Sequence, residues 1–233
     1  YTFMHSVSVA GLLITFARHE GFNHAQIREI AIGGLLHDIG KMSTPDTILN
    51  KNGKLTDEEF AIMKDHVVQS RLILEKIPGF SSMALNVAAQ HHERFDGSGY
   101  PLGLKGDAIS AIGQMASIVD VYDALTSERI YKDAWEPTFV LKKFIEWSQH
   151  HFKTEQVHSF IRCLGIYPVG TLVEMESGRI GIVIEQHHSN LLHPTVRFIY
   201  NRNTRRYTEP RVIELEREQS DTIKRAVSPL EFG

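Results

Sequence analysis

The chain has 233 residues, 42% of them apolar, and a formal net charge of only −3. That is enough apolar material for one substantial core with a small second unit beside it, and too little positive charge to coat a nucleic-acid duplex, so any anionic ligand must be met by local groups. A single cysteine, Cys163, excludes an internal disulfide and a thiolate zinc site, and no apolar run approaches the roughly 18 residues of a membrane span.

The cytoplasm is the expected compartment, since no signal segment opens the chain. Tyr1 falls inside a helical pattern, so the chain reads as part of something longer, with an N-terminal regulatory domain expected ahead of it. From His5 onward, Val9, Leu12 and Phe16 recur at helical spacing, and Asn23 or His24 opens a second helix carrying Ile27, Ile30, Ala31, Leu35 and Leu36 on one side. Thr56 followed by Glu59 is a capping-box signature, which predicts one helix from about Asp57 to Lys76, stopped by Pro78 and Gly79. Further helices are expected from Ser81 or Ser82 to near His92, across Ile112, Met115, Val119 and Tyr122, over Pro137–Gln149 and over Thr154–Leu164. The predicted fold class is therefore mainly α.

After Gly165 the pattern changes. TLVEM, IGIVIE and TVRFIY are short and β-branched, separated by SGR, by a loop around HHSNLLHP and by NRNT, the rhythm of a small antiparallel sheet. The predicted layout is a helical domain over 1–165, a β-rich subdomain over 166–216 and a polar, loosely held tail over 217–233. Arg202, Arg205 and Arg206 cluster at a turn and read as a solvated hairpin tip. The sequence leaves open whether the apolar strands dock on the helices or on a second subunit, which would make a homodimer.

The histidines sort by position. In GGLLHDIGK, His37 and Asp38 end an apolar helix, with Gly33 and Gly34 allowing close helix approach and Gly40 ending the turn before Lys41. His5 shares a helical face with Val9 and Leu12, His66 shares one with Ile62 and Ile73, and Asp120 lies in the apolar segment SIVDVYDAL. His91 and His92 open the stretch HHERFDGSGYP. Each of these buried polar groups alone is explained by a backbone or water partner. Five inward histidines and two inward aspartates on separate helices are harder to satisfy one by one, whereas a metal cluster satisfies all of them. Imidazole with carboxylate and no thiolate suits iron, manganese, nickel or zinc, and seven ligand residues exceed what one tetrahedral zinc uses.

HDIGK, from His37 to Lys41, and the full HHERFDGSGYP segment resemble the HD-GYP domains, a bacterial branch of the HD metal-dependent phosphohydrolases. The likeness covers roughly Tyr1 to Leu164. It implies a helical metallohydrolase fold, a centre of at least two divalent ions, most in keeping with iron or manganese, and hydrolysis of cyclic di-GMP to pGpG and on to GMP. By the resemblance, His5, His37, Asp38, His66, His91, His92 and Asp120 stand at the metal-ligand positions, with Asp38 as the bridge. Lys41 stands beside the centre as a catalytic group, Tyr100 belongs to the loop that frames substrate, and Arg129 with Lys132 matches a basic pair that holds phosphate. Some members carry a glutamate four residues before the first ligand histidine and use it for a third metal; Tyr1 stands there in this chain, so a binuclear centre is expected.

Glu93 and Asp96 have two readings each: acceptors for ligand histidines, or a solvated residue and a turn cap respectively. Asp123 reads as a second acceptor or a helix-end residue. Two alternatives to the cyclic di-GMP reading stand: hydrolysis of another cyclic dinucleotide or nucleotide at the same centre, and a catalytically weak cyclic-dinucleotide receptor. A degenerate ligand set would favour the receptor, and this set is intact.

Overall fold

The computed structural model describes residues 2–127, 134–148, 150–187, 190–218, 221–228 and 231. Helix α1 spans Thr2–His19 and α2 spans His24–Leu36, the latter opened by a capping box between Asn23 and Gln26. A 3-10 turn over Ile39–Ser43 and the short α3, Asp46–Leu49, lead to α4 (Asp57–Lys64) and α5 (His66–Glu75). Then come α6 (Ser82–Gln90), α7 (Ala111–Thr126), α8 (Pro137–Trp147) and α9 (Thr154–Leu164). Helix α7 is the centre of the helical unit: Ile112 to Asp120 are all buried, together with Tyr122 and Asp123, as befits a helix enclosed on every side.

The single helix expected over 57–76 is two. The Thr56–Glu59 capping box forms as predicted, but the helix ends at Lys64 and a new one starts at His66. The break re-aims the chain, so that Ile62, expected on the face of His66, lies 46% exposed while His66 is buried.

Two glycines of α2 have the packing role expected of them. A Cβ on Gly33 would lie 2.8 Å from the Ala84 carbonyl oxygen of α6, and one on Gly34 would lie 3.0 Å from Cα of Ala10 in α1. Gly40 differs: it does not end the turn but seats it, with its N–H donating to Ser70 Oγ at 2.8 Å and no room for a side chain against the backbone of α5.

The second unit holds an antiparallel five-stranded sheet in the order β4-β3-β2-β1-β5. Its strands are β1 (Leu172–Met175), β2 (Arg179–Glu185), β3 (Thr195–Asn201), β4 (Arg206–Glu214) and β5 (Ile223–Ala226). Val173, Met175, Val183, Val196, Phe198, Ile213 and Leu215 form its core. The expectation of a loose tail over 217–233 is corrected by β5, which pairs with β1 through Val173↔Ala226 and Glu174↔Arg225. Arg225 donates to the buried Glu174 carboxylate at 3.0 Å, and Arg202, read as part of a solvated tip, donates to it at 2.8 Å. Arg225 is thus a tail charge that pairs across the sheet.

The chain divides into two compact units, one built from α1–α7 with Phe144–Val157 and the other from Ala134–Lys143 with His158 onward. The division runs through α8 and α9, ahead of the boundary near Gly165 to Pro168 expected from the onset of β-branched runs. Strand composition marks where secondary structure changes, and packing need not change at the same residue.

Candidate metal centre

The helical unit brings His5, His37, Asp38, His66, His91, His92 and Asp120 together at one place, from α1, the end of α2, the start of α5, the end of α6 and the middle of α7. All are buried except His92, which is half-buried. Their ligand atoms fall into two groups, His5 with His37 and Asp38, and His66 with His91 and His92; in each group the atoms lie within 4.8 Å of one another.

Asp38 stands between the groups. Its Oδ2 is 3.3 Å from His37 Nε2 and 3.9 Å from His5 Nε2, while its Oδ1 is 3.3 Å from His66 Nε2 and 3.9 Å from His91 Nε2. Asp120 also divides its oxygens: Oδ1 lies 3.1 Å from His5 Nε2 and 3.8 Å from His37 Nε2, and Oδ2 lies 3.8 Å from His92 Nδ1. Each carboxylate therefore presents one oxygen to each histidine group.

The imidazoles are held with their ligating nitrogens inward. Nδ1 of His37 donates to the Gly34 carbonyl at 2.7 Å, that of His66 to Met63 at 2.6 Å and that of His91 to Ala88 at 2.9 Å. The tautomer so fixed leaves Nε2 as a lone-pair acceptor. Nε2 of His37, His66 and His91 and Oδ1 of Asp38 are fully buried without a hydrogen-bond donor. Four convergent orphaned acceptors are costly in a metal-free protein and are what a divalent cation with N/O preference requires, so the residues fit the metal ions expected of them.

His5 is fixed by a side chain instead. Its Nδ1 donates to Asp123 Oδ2 at 2.6 Å, and Asp123 Oδ1 in turn accepts from the Ser8 hydroxyl and, at 3.2 Å, from Ser127 Oγ. Asp123 is thus the acceptor that orients His5, a candidate ligand histidine. Glu93 has neither role expected of it: buried, it accepts the Leu102 and Leu104 N–H groups at 2.8 and 2.9 Å and so ties down the loop that follows Tyr100. Asp96 caps the turn, accepting from the N–H and hydroxyl of Ser98.

Arg94 escaped sequence reasoning. It is wedged behind the His91–His92 pair, donating to Ser117 Oγ at 2.5 Å and to the Glu93 carbonyl at 3.1 Å, with its guanidinium over the Phe152 ring. An arginine inside a motif otherwise rich in ligands and glycines gives no sequence signal of burial.

Lys41 reaches Asp38 Oδ2 at 2.5 Å from a partly exposed position. The Tyr100 ring stacks on His92, centroids 4.6 Å apart and planes 29° from parallel. Gly99 permits this: a Cβ there would come within 2.5 Å of Glu93 Cα. Arg129 and Lys132 lie outside the described residues.

Electrostatics suit a cation. Burial alone would raise Asp38 and Asp120, but the facing histidines, and Lys41 for Asp38, hold both well below the carboxylate range. Burial, reinforced by the charges of His92 and His37, keeps His91 far below its usual value, and burial holds His92 down at about 3. Burial would lower His5 as well, but its bonds to Asp120 and Asp123 outweigh that and raise it to about 9.

These shifts predict how the chelated protein responds to pH. His92 stabilises the fold fully above its unfolded value of 6.5 and loses that contribution as pH falls toward about 3. His5 contributes fully below 6.5 and loses its share as pH rises through about 9. The metal-free protein should therefore be most stable near pH 6.5, and melting temperatures taken in chelator from about pH 4 to about pH 10 check this; a profile still rising at either end would contradict it.

Residues 2–155 match the family described as HD domain, and residues 172–233 match the one described as KOW domain associated with HD domain. The chain belongs to the HD domain family. Within it, HDIGK and the HHERFDGSGYP loop make this an HD-GYP protein. A cyclic di-GMP phosphodiesterase of Pseudomonas aeruginosa is 43% identical over 224 residues, covering 96% of this chain and 54% of the relative. A 3'3'-cGAMP-specific phosphodiesterase of Vibrio cholerae is 42% identical over 132 residues, or 57% of this chain and 30% of that protein. The chain thus spans about half, or less, of the length of these relatives. An HDG"Y"P protein from Bdellovibrio bacteriovorus has the same fold, with a TM-score of 0.57 at 21% identity over 69% of this chain and 51% of that one. No helix among the described residues is long and apolar enough to cross a membrane.

Proposed function

We propose that this HD-GYP protein is a phosphodiesterase that hydrolyses cyclic di-GMP to pGpG, and more slowly to GMP, with two divalent cations, iron or manganese, shared through Asp38. The observation that carries the reading is the division of the Asp38 carboxylate, one oxygen toward each histidine group. His5 and His37 would hold one cation, and His66, His91 and His92 the other, with Asp38 and Asp120 offering an oxygen to each. When bound, such cations act as Lewis acids on a phosphoryl oxygen and make water acidic enough to attack phosphorus near neutral pH.

The remaining groups act on substrate. Lys41, fixed against Asp38, brings a positive charge to the rim of the centre, where it stabilises charge developing on a non-bridging phosphoryl oxygen. Tyr100, stacked on His92, walls the place where the substrate enters. Arg129 and Lys132 complete the assignment as the clamp on the second phosphate. The relative that aligns along nearly the whole chain, the β unit included, is a cyclic di-GMP phosphodiesterase, which supports cyclic di-GMP as the substrate.

The test is to purify the protein anaerobically, quantify its metals, and follow products chromatographically with cyclic di-GMP and iron(II) or manganese(II). pGpG should appear and chelation should abolish it. A metal-loaded protein that binds the dinucleotide without cleaving it would favour the receptor instead.

A further inference from the structure

Helix α4 contributes none of its residues to the core, yet it carries an aromatic ring at Phe60 that is 45% exposed. That ring is not isolated. It meets the Tyr100 ring edge-to-face at 6.3 Å between centroids, and Tyr100 in turn stacks on His92 of the centre. One turn along α4, Lys64 places Nζ 5.1 Å from the Phe60 centroid and 5.9 Å from that of Tyr100. A chain of rings thus leads from a candidate metal ligand outward to a half-open phenyl face, with an ammonium group beside it.

The geometry points to a base-binding subsite on α4, in which Phe60 stacks a purine of the cyclic dinucleotide and Lys64 meets the phosphate attached to it. The inference rests on the phosphodiesterase reading and adds to it the residues that hold the nucleoside, which the metal centre cannot do. A dinucleotide whose scissile phosphate lies at the centre must hold a base one ribose away from it, and the adjoining aromatic surface is the one these rings form. Aromatic stacking is tolerant of base identity, so the subsite would accept guanine and adenine alike. Packing gives the ring no core role, since no residue of α4 is buried.

Phe60→Ala should raise KM for cyclic di-GMP on the order of 10-fold or more, the usual cost of losing one stacked base. It should raise KM for cyclic GMP-AMP equally, leave metal content and melting temperature close to those of the parent, and leave inhibition by inorganic phosphate unchanged, because phosphate carries no base. Phe60→Trp should restore the low KM and Phe60→Leu should not, which separates stacking from apolar cover. Lys64→Ala should weaken binding of both dinucleotides and become less important as salt rises. An unchanged KM in Phe60→Ala, with the parent active, would remove the subsite and leave the phosphodiesterase assignment standing. A parent protein that neither binds nor cleaves either dinucleotide would remove both. A loss of phosphate inhibition or of metal would assign Phe60 to the support of Tyr100 and His92 and overturn its role in stacking.

Discussion

Asp38→Ala should leave the purified protein without its metal complement and lower turnover of cyclic di-GMP by on the order of 10³-fold, several kcal/mol of transition-state stabilisation. The size of the effect follows from position. Asp38 is 4% exposed and faces four imidazoles and one ammonium, so its removal deletes an oxygen from each histidine group and would take from the proposed cations their common anion. It also removes the negative charge that Lys41 is fixed against, which frees Lys41 from the rim. Asp38→Asn, close in shape but uncharged, should retain the fold and still lose most of the metal, so elemental analysis alongside circular dichroism separates a lost ligand from an unfolded chain. Near-normal metal content and turnover in Asp38→Ala would sink the assigned centre.

Gly40→Ala acts through packing and should be the more damaging of the two to stability. A Cβ at this position would fall 2.0 Å from the His66 carbonyl oxygen and 2.4 Å from the Ser70 amide nitrogen. Both are backbone atoms of α5, so no side-chain rotation relieves the clash, and the turn must move away from the helix. Overpacking of this kind costs about 3 kcal/mol or more, a fall of roughly 6–12 °C in the melting of a unit this size. The same displacement separates Asp38, two residues before the glycine, from His66, 3.3 Å away across the contact. Metal affinity should therefore drop with stability, and restoring it by excess manganese(II) should recover part of the lost melting temperature. A variant that melts like the parent would show that the turn is free to shift.

Much of the centre is legible in the sequence because its residues sit in two short segments of unusual composition. HDIGK and HHERFDGSGYP supply His37, Asp38, Lys41, His91, His92 and Tyr100, and the fold brings all of them to one place. His5 and Asp120 follow from helical spacing, since Val9 and the whole of α7 around Asp120 are buried. The inward reading of His66 rests on a reason that fails: Ile62 is exposed, and His66 points in from a new helix that starts after the break at Asp65. Lys64, Asp65 and His66 include no glycine or proline, so nothing local marks the break. Strand β5 was hidden for a related reason. Ile223 to Ala226 reads IKRA, too short and too charged to signal a strand, and its arginine becomes interpretable only opposite the buried Glu174. Asp123 and Glu93 needed coordinates to be told apart, one as the partner of His5 and the other as the anchor of the loop after Tyr100.

The carbonyls that receive the Nδ1 protons of His37, His66 and His91 belong to the last turns of α2, α4 and α6, where a helix runs short of amides to bond its carbonyls; that of Met63 also accepts the Asp65 N–H. Each of these imidazoles is therefore a seam as well as a proposed ligand, bonding the end of one helix with one nitrogen while offering the other to the centre. Metal loading should consequently be felt well away from the ions, as slower amide hydrogen exchange spreading back along three helix ends at once. A histidine lost from this set would unstitch a terminus in addition to emptying a coordination position, so an inactive descendant of this protein would do better to alter Asp38 or Lys41 and keep its histidines.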